Sequence, residues 1–160
     1  SEKIRIDGSV GYIERRHPHF GFRDFAGEVW RTELVWKPVA KVRMNVSAWQ
    51  QLGGFAELAS SYFVSEGYSI GPTWEPTAKL QLSAKYSDAV LDYPGAAAAN
   101  VTGGLLQRKD GIKSFQLAGN YTPLQFADLA LIFSHEARSS NRQFYDYADN
   151  SLSAKVTLKY

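Results

Sequence analysis

The chain has no cysteine, little net charge and no long apolar run, and each absence excludes a class of protein. Without cysteine there is no disulfide scaffold, thiolate metal site or cysteine nucleophile. Lys and Arg number 18 against 16 Asp and Glu, which is too balanced for a nucleic-acid binder that works through a basic face. The longest apolar runs, Ala96 to Ala99 and Leu129 to Phe133, fall far short of the roughly 18 residues that a membrane helix needs. A helical membrane protein is therefore excluded.

An aromatic residue followed two positions later by proline recurs three times in the chain. Trp36 and Pro38 form the first copy, Trp74 and Pro76 the second, and Tyr121 begins a looser third copy. The copies are 38 and 47 residues apart, and each interval fits two strands of about ten residues plus a loop. Because proline cannot donate to a strand ladder, each copy is predicted to form a tight turn between antiparallel strands.

Apolar and polar residues alternate with a period of two through most of the remaining sequence, which is typical of β-strands with two different faces. The clearest stretch runs from Lys79 to Ser87, where Leu80 and Leu82 alternate with Gln81 and Ser83. We count eight such strands, and the unclear phase of the alternation between Tyr62 and Gly67 indicates a bulge there. The segment from Tyr93 to Gly111 is predicted to be the longest connection. The fold class predicted is all-β, an antiparallel up-and-down transmembrane β-barrel with eight strands in this chain.

One domain over residues 1–160 is predicted, which is either a whole barrel or the C-terminal half of a larger one. The 160 residues fit one domain of ordinary size. The start, Ser1 to Lys3, has neither an initiator methionine nor a signal segment, so we expect a processed form or a fragment of a longer protein.

Alternation alone does not say whether the apolar face meets lipid or a dry core, and a soluble barrel that binds an apolar ligand remains an alternative. Four aromatic residues favour lipid, because all are expected at the same strand end, where an interfacial aromatic girdle would lie. They are Trp36, Trp74, Tyr121 and Tyr160. The last of them also completes an apolar repeat that runs back to Leu152, similar to the C-terminal signal for barrel insertion. Membrane lipid and the barrel-insertion machinery are therefore predicted partners, and the bacterial outer membrane is the predicted location.

The opposite face is rich in serine, glycine and basic residues. The basic residues predicted to face the lumen are Arg5, Arg31, Arg43, Lys85 and Lys155. Such a lumen would attract an anionic polymer. The plainer interpretation is that these charges pair with acidic neighbours such as Asp7, Glu33 and Asp128 across a narrow interior, or that those near the proline turns lie in the periplasmic mouth.

No catalytic residues, cofactor or resident metal are predicted. His17 and His19 lack the further ligands of a metal site, and His135 cannot form a relay with its neighbours Ser134 and Glu136, because adjacent strand residues point to opposite faces. Asp146 and Asp149 do not have the spacing of an EF-hand, and turn formation explains them. We therefore predict that the chain is not an enzyme.

Three stretches resemble the EpsL-type outer-membrane proteins encoded with bacterial exopolysaccharide and exosortase systems, a branch of the beta-barrel porins. They run from Ala48 to Gly53, from Ser60 to Val64 and from Pro72 to Leu80. The likeness covers most of the chain and matches the C-terminal part of that family, whose N-terminal strands are absent here. It implies an outer-membrane barrel that takes part in exopolysaccharide synthesis or export, with exopolysaccharide and other export proteins as partners. A small closed barrel that acts as an anchor or surface-binding module is the alternative.

Overall fold

The computed structural model describes residues 3–16, 24–54, 62–94 and 107–159. Eight strands form one antiparallel sheet in which every strand lies beside its neighbours in sequence. In chain order the strands are β1 (Ile4–Arg15), β2 (Phe25–Val39), β3 (Val42–Gly54), β4 (Tyr62–Thr77), β5 (Leu80–Tyr93), β6 (Arg108–Leu124), β7 (Ala127–Ser140) and β8 (Tyr147–Leu158). The predicted eight strands and their up-and-down order are confirmed.

The sheet is open. In the described ranges β1 pairs with β2 alone and β8 with β7 alone. Extensive contacts join only strands that are adjacent in the sheet. The sheet therefore does not close into the predicted barrel. At its two edges, β1 and β8, the outer backbone N–H and C=O groups lie outside the ladder of the described sheet.

The three proline turns share one geometry. In the first, Trp36 pairs with Met44 while Val39 pairs with Val42, so the β2 side of the hairpin carries one residue more than the β3 side. The same shift occurs between Trp74 and Thr77 and between Tyr121 and Leu124. Each proline lies inside this β-bulge, where its missing N–H costs no ladder hydrogen bond.

The expected bulge between Tyr62 and Gly67 was wrong. The β3–β4 register runs without a shift from Gly54 opposite Tyr62 to Val42 opposite Trp74, so there is no bulge in that pairing near Gly67. The segment between β5 and β6 is the longest connection between strands, as predicted, but it ends before Arg108 rather than at Gly111. The charged run there reads as a turn in the sequence, yet its residues pair with the end of β5.

Nowhere in the described residues is there a helix long and apolar enough to cross a membrane.

Candidate functional site

One face of the sheet is apolar and solvent-exposed along its whole width. Its members include exposed side chains from first strand to last: Ile6, Val10, Trp36, Ile70, Trp74, Leu82, Leu117, Leu131, Leu152, Val156 and Leu158. Alternate residues share a face of a strand, and the pairing register keeps these residues on one side from Ile6 opposite Leu34 to Phe133 opposite Leu152. An apolar surface of this extent is not left in water by a stable protein.

Aromatic side chains border this apolar face at both ends. At the proline-turn end lie Trp36, Trp74 and Tyr121, which are each about half exposed. Tyr160, the fourth predicted girdle residue, lies outside the described residues. At the other end the sequence analysis missed a second row, which consists of Tyr12, Trp30, Tyr68, Tyr86, Phe115 and Phe133. The rings of Tyr68 and Tyr86 lie 6.3 Å apart within it.

Polar residues begin directly beyond the second row. On β4 the first is Glu66, eight residues from Trp74, and on β6 it is Lys113, eight residues from Tyr121. Eight residues cover roughly 26 Å along a strand, close to the apolar band about 25 Å tall of membrane barrels. The band was detectable from the sequence, because polar residues end the apolar face in the same way on other strands. They are Glu28, Gln50, Asp88 and Asn150.

The polar face is concave. Arg138 on β7 donates a hydrogen bond from Nη2 to the Tyr93 hydroxyl on β5 at 2.9 Å, over the strand between them. Lys85 on β5 likewise interacts electrostatically with Glu33 on β2, across two intervening strands. Side chains two or three strands apart converge only if the sheet curves toward this face.

A polar trough of about 310 Å³ lies in the middle of the concave face. Small hydroxyl and amide side chains of β3, β4 and β5 form its floor, and the charged ends of Arg31, Glu33 and Lys85 form its walls. The Ser47 and Ser69 hydroxyls are hydrogen-bonded at 2.8 Å in the floor. Such a surface suits water and polyhydroxylated ligands rather than an apolar one.

All five predicted basic residues lie on this face. Arg5 donates from Nε to Asp7 at 2.8 Å, and Arg31 donates from Nη2 to Glu33 at 2.5 Å. Two of the five predicted cations therefore have acidic partners, but these contacts do not test the predicted pairing across a narrow interior. Both pairs join residues of the same strand, not residues across an interior.

The other three cations make no hydrogen bond or ion pair with the described part of the chain. Lys85 projects into the trough, Arg43 lines a smaller recess with Lys37 and Glu75, and Lys155 lies opposite Ala130. The concave face thus carries free positive charge beside its paired charge.

Lysines at the proline-turn end have a structural role. Lys41 Nζ donates to the Pro76 carbonyl oxygen at 2.8 Å, and Lys79 Nζ donates to the Pro123 carbonyl oxygen at 2.9 Å. Lys159 forms an ion pair with Asp128 at 2.6 Å. These contacts link neighbouring turns and strand ends, and the expectation that charges near the proline turns lie in the periplasmic mouth stays a prediction.

A buried ionic cluster lies at the opposite end of the concave face, and the sequence analysis missed it. Arg108 Nη2 lies 2.9 Å from Asp110 Oδ2, with side-chain exposures of 3% and 0%. Arg138 contacts the same carboxylate, and the Tyr145 ring stacks on the Arg108 guanidinium at 3.6 Å. The alternation of Arg108 with Asp110 was the available signal, since strand residues two apart share a face.

Asp110 lies beyond the apolar band, on the loop side of Lys113. Its burial would raise the pKa of the carboxyl, but hydrogen bonds from Arg108, Ser140 and Arg138 outweigh burial and lower the pKa below its ordinary value. The carboxylate is therefore kept charged between the two guanidinium groups. Through its contact with Arg138 it joins the start of β6 to the end of β7.

Those of the remaining sequence candidates that the structure describes contact neighbouring residues of the sheet. His17 and His19 lie outside the described residues. His135 Nδ1 lies 2.8 Å from Asn150 Oδ1, whereas Glu136 is on the other face and accepts a hydrogen bond from the Tyr147 hydroxyl. Asp146 accepts a hydrogen bond from the Ser140 backbone N–H at 2.5 Å, which is the turn-forming contact expected of it.

Comparison with protein families finds a match to the family described as "Putative beta-barrel porin 2", whose model covers residues 1–160. Comparison with curated proteins and with solved structures finds no match. The family match covers the whole chain and agrees with the eight antiparallel strands and the two distinct faces. The chain belongs to this family of beta-barrel porins.

Proposed function

We propose that the chain forms the wall of a bacterial outer-membrane β-barrel that takes part in exopolysaccharide export or assembly. The concave face of this wall is basic and suits an anionic polymer. The observation that carries the proposal is the contrast between the two faces of one sheet. The outward face is apolar between two aromatic rows, and the concave face is polar with free cations.

The outward face supports the membrane location. Aromatic residues with an apolar body and a polar tip concentrate at both membrane interfaces, and membrane barrels carry them on both sides of the apolar band. In a soluble barrel the apolar side would be the concave one, filled with packed side chains. Here the concave side holds Ser47, Ser69 and Lys85, which argues against the soluble alternative.

The concave face supports an anionic polymer as the guest. Cations that lack acidic partners attract anions into a polar conduit, because low-dielectric walls focus their field. Hydroxyl groups in the floor can exchange hydrogen bonds with sugar hydroxyls as a chain moves past. The resemblance to EpsL-type proteins adds the exopolysaccharide context.

The test uses the full chain in planar lipid bilayers, with ion selectivity as the readout. Replacing Lys85 by Glu adds negative charge to the trough, so the preference for anions over cations should fall several-fold. The matched control is Lys113→Glu, which makes the same change on the outward face and should leave selectivity unchanged. A Lys85→Glu channel with unaltered selectivity would count against the basic conduit.

A second test addresses the polysaccharide. Cells that lack the protein should lose exopolysaccharide from the surface, and the parent chain should restore export where Lys85→Glu restores it only partly. Normal export in cells without the protein would refute the exopolysaccharide role while leaving the barrel intact.

A small closed barrel that serves as a membrane anchor is the second candidate. The pairs Arg5 with Asp7 and Arg31 with Glu33 favour it, because paired charges suit a filled interior. It predicts no measurable conductance in the bilayer experiment.

A further inference from the structure

Thr73 lies in the middle of the concave face, where it lines both the polar trough and the smaller recess beside Arg43. The residue is only 8% exposed, yet its hydroxyl makes no hydrogen bond within the described ranges. Buried polar side chains are normally hydrogen-bonded, because a hydroxyl without a partner costs free energy. Thr73 therefore marks a point at which the floor of the trough can bind a group from outside the chain.

Other polar side chains without a hydrogen-bond partner in the described chain surround Thr73. Arg43 lies directly opposite it on β3, and Ser83 lies directly opposite it on β5. One step toward the loop end, the same face adds three more, which all line the trough: Asn45, Lys85 and Gln116. Donors and acceptors from four neighbouring strands thus converge on one place.

The next row of the concave face differs, because its hydroxyl groups already have partners. Ser47 and Ser69 are hydrogen-bonded to each other at 2.8 Å. Ser87 and Ser114, which continue the row on β5 and β6, are hydrogen-bonded at 2.7 Å. The unpartnered groups around Thr73 are therefore a local feature of the trough and not a general property of this face.

Gly71 gives the trough its depth. It lies opposite Asn45, and a Cβ atom there would be 3.7 Å from the Lys85 Cα. Because Gly71 has no side chain, β4 leaves a depression between these two residues. The trough measures about 310 Å³, at the low end of the range of about 300 to 1,000 Å³ for small-ligand sites. A single sugar unit suits such a space, and the open trough lets a longer chain continue on either side.

The charge around this space is positive. Five cations and two carboxylates line the trough and the adjoining recess together. Both carboxylates already accept hydrogen bonds, Glu33 from Arg31 and Glu75 from a glutamine side chain of β5. The positive charges of Lys85 and Arg43 consequently remain available to a ligand.

The type of anion follows from the donors at hand. A phosphate or sulfate group is usually held by several converging cations or by a nest of free backbone N–H groups. The central strands β3, β4 and β5 have a neighbour on each side, so their N–H groups are used in the ladder. One ammonium group among neutral hydroxyl and amide groups instead suits a single carboxylate on a sugar ring.

We propose that the trough is a binding site for a uronate unit of the polymer. Lys85 binds the carboxylate, and Thr73, Asn45 and Gln116 exchange hydrogen bonds with the sugar hydroxyls. Arg43, in the adjoining recess, contacts the carboxylate of the next unit. The proposal rests on the anionic-polymer barrel proposed above and names the class of sugar that it handles.

The test measures binding to the full chain in lipid nanodiscs by titration calorimetry. The probes are trigalacturonate and neutral galactotriose, which have the same ring and linkage but differ in the carboxylate. Trigalacturonate should bind at least about tenfold more tightly, the effect of one hydrogen bond to a charged group. Equal affinities, or no binding of either sugar, would overturn the site without the need for any variant.

Two substitutions separate the charge from the hydroxyl. Lys85→Gln should lower the affinity for trigalacturonate about tenfold and leave that for galactotriose unchanged. Thr73→Val should lower the affinity for both sugars about three- to tenfold, because it removes one neutral hydrogen bond. Lys85 is exposed, so its variant remains informative if Thr73→Val does not fold.

Each substitution has a matched control on the concave face of β8, outside the trough. Lys155→Gln removes another cation that has no partner in the described chain, and Thr157→Val makes the same change as Thr73→Val. Both controls should bind trigalacturonate like the parent chain. If Lys155→Gln weakens binding as much as Lys85→Gln does, the face attracts anions diffusely and the site is refuted.

Failure of this site and failure of the proposed function look different. If trigalacturonate does not bind but Lys85→Glu still lowers anion selectivity in bilayers, the basic conduit stands and the uronate site is wrong. If trigalacturonate binds as expected but cells without the protein export polysaccharide normally, the site stands and the export role is wrong.

Discussion

Lys79 Nζ donates a hydrogen bond to the Pro123 carbonyl oxygen at 2.9 Å, and so ties one proline turn to the next. The backbone repeats the link, since the Thr122 N–H donates to the Lys79 carbonyl oxygen at 2.9 Å. Lys41 and Pro76 make the corresponding contact one turn earlier. The recurring sequence motif therefore forms a recurring contact, in which a lysine of one turn is hydrogen-bonded to the next proline turn at the same end of the sheet.

Removing the Lys79 ammonium group should weaken this link between turns slightly. Lys79→Ala is expected to lower the free energy of unfolding by about 0.5 kcal/mol, the low end for a hydrogen bond, because the contact is exposed to solvent. Urea unfolding of the lipid-reconstituted chain measures it. Lys37→Ala is the control, since the Lys37 side chain makes no hydrogen bond in the described residues. Equal losses in both variants would show that the contact does not contribute.

The buried ionic cluster should be far more sensitive. Asp110→Asn leaves Arg108 and Arg138 without their shared carboxylate, and loss of one partner of a buried ion pair costs about 3 to 5 kcal/mol. Glu14→Gln, in the exposed pair of Glu14 with Arg16, is the control and should change stability little. If Asp110→Asn unfolds at the same urea concentration as the parent chain, the cluster is not a structural element.

Protonation of Asp110 at low pH should remove the ionic interactions of the same cluster. The pKa of Asp110 is lower in the folded chain than its ordinary value of 3.8, so its contribution is complete above pH 3.8 and is lost as the pH falls through the lower folded value. The difference in unfolding free energy between the parent chain and Asp110→Asn should therefore be constant near neutral pH and shrink in strong acid. A difference that shrinks between neutral pH and pH 5 would contradict this linkage.

Gly67 occupies a place where β4 and β5 approach closely. A Cβ atom there would lie 2.6 Å from the Asp88 carbonyl oxygen and 2.7 Å from the Ala89 Cβ. Gly67→Ala should consequently destabilise the sheet by about 1 to 3 kcal/mol, the usual cost of overpacking. Gly54→Ala is the control, because a Cβ there meets nothing within 4 Å. Heat or urea unfolding of the two variants compares them, and equal stability would refute the close approach.

The sequence predicted the parts of the fold that depend on local pattern. Alternation set the strands and their faces, and the proline repeats located three turns, because a period of two and a missing N–H act on their own residues. The register shifts at Trp36 and Trp74 follow from those turns. The bulge expected near Gly67 failed because glycine there serves close packing between strands, which depends on a neighbour distant in sequence.

Contacts between residues that are distant in sequence could not be predicted from the local pattern. The run from Arg108 to Gly111 has the composition of a turn, and only its pairing with β5 makes it strand. The contact between Arg138 and Asp110 joins residues 28 positions apart, which no local pattern specifies. Sheet curvature, and with it the trough beside Lys85, depends in the same way on all strands together.

Cysteine accessibility along β5 measures the two-faced sheet most directly. Single cysteines are placed in turn at residues 81–86 of the otherwise cysteine-free chain, in its native membrane, and exposed to a charged water-soluble thiol reagent or a lipid-soluble one. The account predicts strict alternation: cysteines at Gln81, Ser83 and Lys85 react from water, and those at Leu82, Ala84 and Tyr86 react only from lipid. Cysteines at residues 82, 84 and 86 that react from water would contradict the assignment of faces. Cysteines at these positions that react with neither reagent would contradict it as well, because they would lie in a packed core.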